Sequence, residues 1–208
     1  MTTLAEQIFT RNLAKPWHTI ALPVSNMAAD FEAEELSSLN PGARILDVGI
    51  GTGIVAKKLM SKLDVRVDGI DASSDMLAVA RKSLPEGTRL YKSSATGLPV
   101  PARSYDAVLY NYVLRYMTPD QTNDVLSEVA RVVKPNGKVI IADLNFPRLR
   151  PFKQPLQESA DPNVLGIWAA YSKEEFIEKA RGFGLVHEKT RYPLMSFMMV
   201  FHKGDTAQ

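Results

Sequence analysis

The stretch Ile45 to Gly53, reading ILDVGIGTG, constrains this chain more than any other. Ile45, Leu46 and Val48 form the apolar run of a buried strand. Gly49, Gly51 and Gly53 then fall at alternate positions, and an amphipathic segment follows from Ile54 to Leu63, with Val55, Leu59 and Leu63 on one face. Strand, glycine turn and helix in that order make the first βα unit of a nucleotide-binding sheet. Glycine lets the backbone turn tightly and approach a ligand closely, since no Cβ intervenes. The helix start leaves unpaired N–H groups facing the same crevice.

The spacing of the glycines separates two ligand classes. The dinucleotide fingerprint G-x-G-x-x-G needs a third glycine at position 54, which is Ile54. The pattern is instead D-x-G-x-G-x-G from Asp47 to Gly53. An acid two residues ahead of the first glycine suits a ligand with an ammonium group better than a pyrophosphate. The sequence here resembles the class I S-adenosylmethionine-dependent methyltransferases, whose first motif is an acid followed by G-x-G-x-G.

Downstream residues extend the resemblance. A second strand, Val65 to Ile70, ends at Asp71, close to the ~20-residue offset at which an acid meets a ribose. A carboxylate accepts from both ribose hydroxyls at once. The alternative role for Asp71 is capping the helix Asp75 to Leu84, which Ser73 and Ser74 supply equally well. Met76 and Leu77, which open that helix, pack against the adenine edge in this reading, and Ala72 is a further cofactor-binding candidate. A third strand, Thr88 to Lys92, leads into SSATGLPVPARSYD, which resembles the family segment G-D-A-x-x-L-P-F. The match holds at Ala95, Leu98 and Pro99, while Ser94 stands where the family commonly has an adenine-binding aspartate.

The fourth strand, Tyr105 to Tyr110, runs into Asn111 and Tyr112, where the resemblance places the transferring methyl. Val113-Leu114-Arg115-Tyr116 is similar to family variants that methylate quinone rings. Arg115 then holds an acidic or phenolate acceptor, or else is an exposed arginine on a helical turn; Tyr112 and Tyr116 also suit packing. A helix with the stripe Val125, Leu126, Val129, Ala130 and Val133 follows Pro119 and stops at Pro135-Asn136-Gly137, ahead of a strand from Val139 to Ala142. Ser172 and Glu175 form a capping box for a helix running to Gly182. Leu185 to Tyr192 and Met195 to His202 read as two strands joined at Pro193, with His187 and His202 structural.

The expected fold is α/β, a Rossmann-like three-layer sandwich whose seven-stranded mixed sheet has its last strand antiparallel. All 208 residues form one domain: residues 1–40 a helical lid, 41–145 the cofactor core, 146–170 a proline-rich loop over the substrate, and 171–203 a helix and hairpin. A helix from Asn26 to Leu39 belongs to the first of these. Trp17 and His18 are candidates for that lid, with a core anchor and a surface or hydrogen-bonded histidine as the alternatives, while Trp168 and Tyr171 at the end of the proline-rich stretch wall the pocket or else pack against the following helix. The resemblance implies S-adenosylmethionine as cofactor, held by Asp47, Gly49, Gly51, Gly53, Asp71, Ala72, Met76, Ser94, Ala95 and Asn111. It also implies methyl transfer to a small molecule, with His18, Tyr112 and Arg115 as candidate catalytic residues. The rival readings are a non-methylating step such as a cyclisation, and an inactive cofactor-binding module.

Composition excludes other classes. There is no cysteine, so disulfides, cysteine-held metals and thiol catalysis are absent. No metal site is expected. The formal charge of +2 and the lack of long like-charge runs disfavour a nucleic-acid partner. No signal-peptide pattern or apolar run of ~18 residues appears, so the expectation is a cytoplasmic protein without a membrane-spanning segment.

Overall fold

The computed structural model describes residues 25–144, 171–193 and 196–204. Trp17, His18, Trp168 and the whole 146–170 loop lie outside these residues. The strands are β1 (Ala43–Val48), β2 (Val65–Asp71), β3 (Leu90–Lys92), β4 (Tyr105–Asn111), β5 (Val133–Leu144), β6 (Leu185–Arg191) and β7 (Ser196–Lys203). The helices are α1, covering 25–36, α2 (Ile54–Lys62), α3 (Ser74–Ser83), α4 (Thr122–Val132) and α5 (Lys173–Arg181). The sheet order is β3-β2-β1-β4-β5-β7-β6. Neighbours from β3 to β5 pair parallel, and β7 inserts antiparallel between β5 and β6. The seven-stranded arrangement is the one the sequence implies, and the inserted β7 departs from a plain dinucleotide sheet.

Side-chain alternation sorts the strands' residues between two cores. Leu46 and Val48 of β1, Val108 and Tyr110 of β4, and Phe197, Met199 and Phe201 of β7 face α4 and α5. Ile45, Ala107, Leu109, Ile140, Ala142 and Met198 face the opposite layer. There they meet Ala29, Ala33 and Leu36 of α1, Val55 and Leu59 of α2, and Leu77 and Ala80 of α3. A period of two along strands buried on both faces requires apolar residues at nearly every position. Full burial of each large side chain contributes roughly 1.5–3 kcal/mol.

The same parity positions the site. Asp47 follows Ile45 by two on β1, and Asn111 follows Leu109 by two on β4, so both point toward the α1 layer. α1 is clamped in place over them. Lys58 of α2 pairs with Asp30 at 2.7 Å, Lys138 donates to the Glu35 carbonyl at 2.8 Å, and Arg191 of β6 pairs with Glu34 at 2.9 Å and Glu35 at 2.8 Å.

Some boundaries differ from the sequence reading. Pro135-Asn136-Gly137 lies inside β5 and does not separate it from α4, which already ends at Val132. The register jumps there: Tyr105 pairs with Val133, but Ala107 pairs with Lys138. The extra residues form a bulge in which Asn136 adopts φ +58°. Breaker residues mark a bulge and a turn alike, so spacing alone does not distinguish them. β3 is also shorter than expected, beginning at Leu90.

Candidate active site

The glycine turn is built from three glycines with three different demands. Gly49, Gly51 and Gly53 all have positive φ, at 78°, 55° and 81°. A Cβ on Gly49 would run into the Val113 side chain, so this glycine lets the exit of β4 lie across the turn. A Cβ on Gly53, the residue preceding α2, would press on Leu84 at 3.0 Å. Among the described residues, a Cβ on Gly51 meets only the Gly49 carbonyl oxygen, at 3.9 Å. Space is therefore open beside Gly51, and that is where the backbone is accessible to a ligand.

Asp71, at the end of β2, holds the turn. Its Oδ2 accepts from the Gly51 N–H at 2.8 Å and its Oδ1 from the Ser73 N–H at 2.8 Å. Ser73 caps α3, its hydroxyl accepting from the Met76 N–H at 3.3 Å, so Asp71 is not needed as a cap. Burial pushes the Asp71 carboxyl up, while the Ser73 and Gly51 N–H groups pull it back. A carboxylate has about four lone-pair positions, so two remain for further donors.

Three polar groups converge behind the turn. Asp47 is 1% exposed, and among the described residues its Oδ1 has no hydrogen-bond partner. Burial, reinforced by the charge on Asp71, raises its carboxyl from 3.8 to about 7. Glu32, from α1, is fully buried, and among the described residues neither of its carboxyl oxygens closes a hydrogen bond of good geometry. Its carboxyl is pushed well above the usual range by burial and then by Asp47. The Asn111 amide, close beside Glu32, opposes that rise, although among the described residues its polar atoms make no hydrogen bond of good geometry. Buried carboxylates without partners are costly, and such groups cluster at binding sites.

Glu32 was not among the residues singled out by sequence. A signal for it was present: Ala29, Ala33 and Leu36 form the buried stripe of α1, and position 32 completes the i, i+3, i+4, i+7 pattern. An acid at an apolar position was hidden among the exposed acids of the same helix. Asp143 of β5 was missed as well. It is fully buried and accepts from the Arg115 N–H at 3.2 Å, fixing the turn that carries Arg115.

Tyr112 sits in the left-handed region at φ 58°, uncommon for an aromatic residue, and its N–H donates to the Ala142 carbonyl at 2.8 Å. Burial is the main cause that pushes its phenol up to about 12, so at neutral pH it keeps its proton and acts as a donor. Arg115 lies on a 3₁₀ turn, Leu114–Tyr116, with its guanidinium 5.4 Å from the centre of the Tyr116 ring. Tyr171 is half-buried against the core, under the Lys179 ammonium at 5.5 Å. Met76 and Ala95 are buried. Ser94 is tied into its own turn, bonding the Thr96 hydroxyl at 3.0 Å and accepting from the Thr96 N–H at 3.3 Å. Among the described residues no cluster of acids and histidines suited to a metal ion is present, and no helix is long and apolar enough to cross a membrane.

The residues fit a ligand with a ribose and a cationic end: an open turn at Gly51, a carboxylate with spare acceptor positions at Asp71, and a buried Asp47 oxygen with no hydrogen-bond partner among the described residues. Comparison with known proteins agrees. Residues 45–137 match the family described as a methyltransferase domain. An uncharacterised methyltransferase of Bacillus subtilis, YdaC, is 33% identical over 146 residues, covering 68% of this chain and 72% of that protein. The demethylmenaquinone methyltransferase of Renibacterium salmoninarum is 34% identical over 113 residues, which are 54% of this chain and 46% of that enzyme. The chain thus spans about half the length of the demethylmenaquinone methyltransferases it matches. Among solved structures, the YcgJ protein of Bacillus subtilis superposes with a TM-score of 0.67 at 18% identity, covering 86% of this chain and 99% of that one.

Proposed function

Because the chain belongs to the class I S-adenosylmethionine-dependent methyltransferases, we propose that it transfers a methyl group to a small-molecule acceptor by in-line displacement. When bound, S-adenosylmethionine supplies a methyl group already activated on a sulfonium. The protein's share is therefore positioning and exclusion of water. The observation that carries the reading is the Asp71 carboxylate latched to the Gly51 N–H, beside open space where a side chain would otherwise stand.

In this reading Asp71 accepts from the ribose hydroxyls, and the backbone at Gly49, Gly51 and Gly53 borders the ligand. Asp47 receives the ammonium, Ala72 and Met76 flank the adenine, and Asn111 borders the methyl. Ser94 is occupied by Thr96, so the backbone near Ala95 takes over pairing with the ring. Tyr112, protonated at neutral pH, donates to the acceptor and does not act as a base. Arg115, held by Asp143 through its backbone, attracts an acceptor with phenolate or carboxylate character. Its setting in Leu114-Arg115 and the similarity to demethylmenaquinone methyltransferases support a quinol-like ring. The absence of a long apolar helix among the described residues and the balanced charge support work in the cytoplasm on a small molecule rather than on nucleic acid.

Incubation with methyl-labelled S-adenosylmethionine and a panel of naphthoquinols and phenols tests the reading. Labelled product with stoichiometric S-adenosylhomocysteine is expected. Acceptor consumed without S-adenosylhomocysteine would replace methyl transfer by a non-methylating step, and tight cofactor binding with no conversion across broad panels would favour a binding module.

A further inference from the structure

Glu32 is the feature that the family motifs leave unexplained. It comes from α1, outside the glycine turn, and is enclosed on the sheet face that carries Asp47 and Asn111. Among the described residues, two carboxyl oxygens of Glu32, one of Asp47 and both polar atoms of Asn111 close no well-formed hydrogen bond, although the Asn111 amide lies near enough to Glu32 to favour its carboxylate. The enclosure is held from outside: the Asp30, Glu34 and Glu35 contacts clamp α1 to α2, β5 and β6, so Glu32 is not free to swing to solvent. A glutamate enclosed at an apolar-stripe position, with no cationic partner among the described residues, ionises only when a compensating charge arrives from elsewhere.

We propose that Glu32 is a cofactor-binding residue, forming with Asp47 a two-carboxylate receptor for the ammonium of the cofactor's amino-acid end. This rests on the cofactor reading above. A single cation between two acids is received best when both are ionised. When empty, the pair lowers its cost by keeping a proton, consistent with the upward displacement of both carboxyls by burial. Binding the ammonium lets the pair ionise, and the proton leaves to buffer. Other groups act on this balance. Asp71 on β2 raises Asp47, while the Asn111 amide at the end of β4 lowers Glu32. Tyr112, next in the chain, lies in the fields of Glu32, of Asp143 on β5 and of Arg115.

The test is calorimetric titration near pH 7 in two buffers of different ionisation enthalpy, which counts protons. The probes are S-adenosylhomocysteine, which keeps the ammonium, and methylthioadenosine, which lacks the amino-acid end. With wild-type protein, S-adenosylhomocysteine should release close to one proton per site and methylthioadenosine essentially none; this comparison needs no variant. Glu32→Gln should lower S-adenosylhomocysteine affinity about tenfold or more, the loss of a charge-assisted contact. It should also reduce the proton count, and leave methylthioadenosine within about twofold. Equal release with both probes, equal loss of both affinities, or an unaffected Glu32→Gln variant would each overturn the inference while leaving the cofactor reading intact. Failure of the wild-type protein to bind either probe would instead overturn the cofactor reading, and this inference with it.

Discussion

Asp47→Asn should stabilise the ligand-free protein at pH 8 and cease to do so at pH 5. Asn keeps the shape of the side chain and removes the charge. The folded-state carboxyl is raised from 3.8 to about 7, so the neutral acid is the form the fold favours. Its contribution to stability is fully present below the unfolded value of 3.8 and is lost as pH rises toward and through about 7. At about 1.4 kcal/mol per pH unit, the cost at pH 8 approaches ~4 kcal/mol. An amide placed there without partners gives back roughly 1–3 kcal/mol. The net gain at pH 8 is then about 1–3 kcal/mol. At pH 5 the carboxylate's cost is only ~1.6 kcal/mol, so the variant is neutral or slightly less stable. Glu32 titrates with the same sign. Asp30, Glu34, Asp106, Glu128 and Glu175 are lowered by their cationic or backbone donors, so they lose their contributions only at more acid pH. Urea unfolding at pH 5 and pH 8 is the assay. A difference between variant and wild type that does not change between the two pH values would refute the reasoning that Asp47 is a buried carboxyl seeking a cation.

Gly49→Ala should destabilise the fold by colliding with Val113, and Val113→Ala in the same chain should recover part of the loss, read by thermal melting. Gly51→Val should leave the protein folded, at a cost of about 1–3 kcal/mol for a side chain at positive φ, but abolish S-adenosylhomocysteine binding in calorimetry. Tyr105→Phe removes the 2.8 Å hydrogen bond to Asp68, which keeps Arg44 and Arg89 as partners. It should cost only about 1–2 kcal/mol in urea and leave ligand affinity unchanged.

The fold was legible because its strands are apolar in runs and its helices in stripes. The ILDVGIGTG turn, the Asp71 offset and the nearly unbroken apolar run of β7 each specify a place in the sheet. The candidate site was legible where its residues follow the chain's local order: Asp47, the glycines and Asp71 belong to consecutive βα units. Glu32 was hidden because its burial depends on which face α1 turns inward, and its helix carries acids on both faces. The distinct roles of the three glycines were hidden too. Gly49 answers to Val113 and Gly53 to Leu84, contacts far apart in sequence. Ser94 is bound to Thr96, a local competition between side chains that a motif comparison does not weigh.

The central claim is that the ribose of S-adenosylmethionine is read by Asp71 beside an open Gly51. Calorimetric titration of wild-type protein and Asp71→Ala with S-adenosylmethionine, alongside NADH and with circular dichroism to confirm folding, tests it most directly. The account predicts saturable S-adenosylmethionine binding to the wild type, no comparable binding of NADH, and at least about a tenfold loss in the variant, from charge-assisted bonds worth roughly 1.5–3 kcal/mol each. Unchanged affinity in a folded Asp71→Ala variant, or tight binding of NADH in place of S-adenosylmethionine, would contradict it.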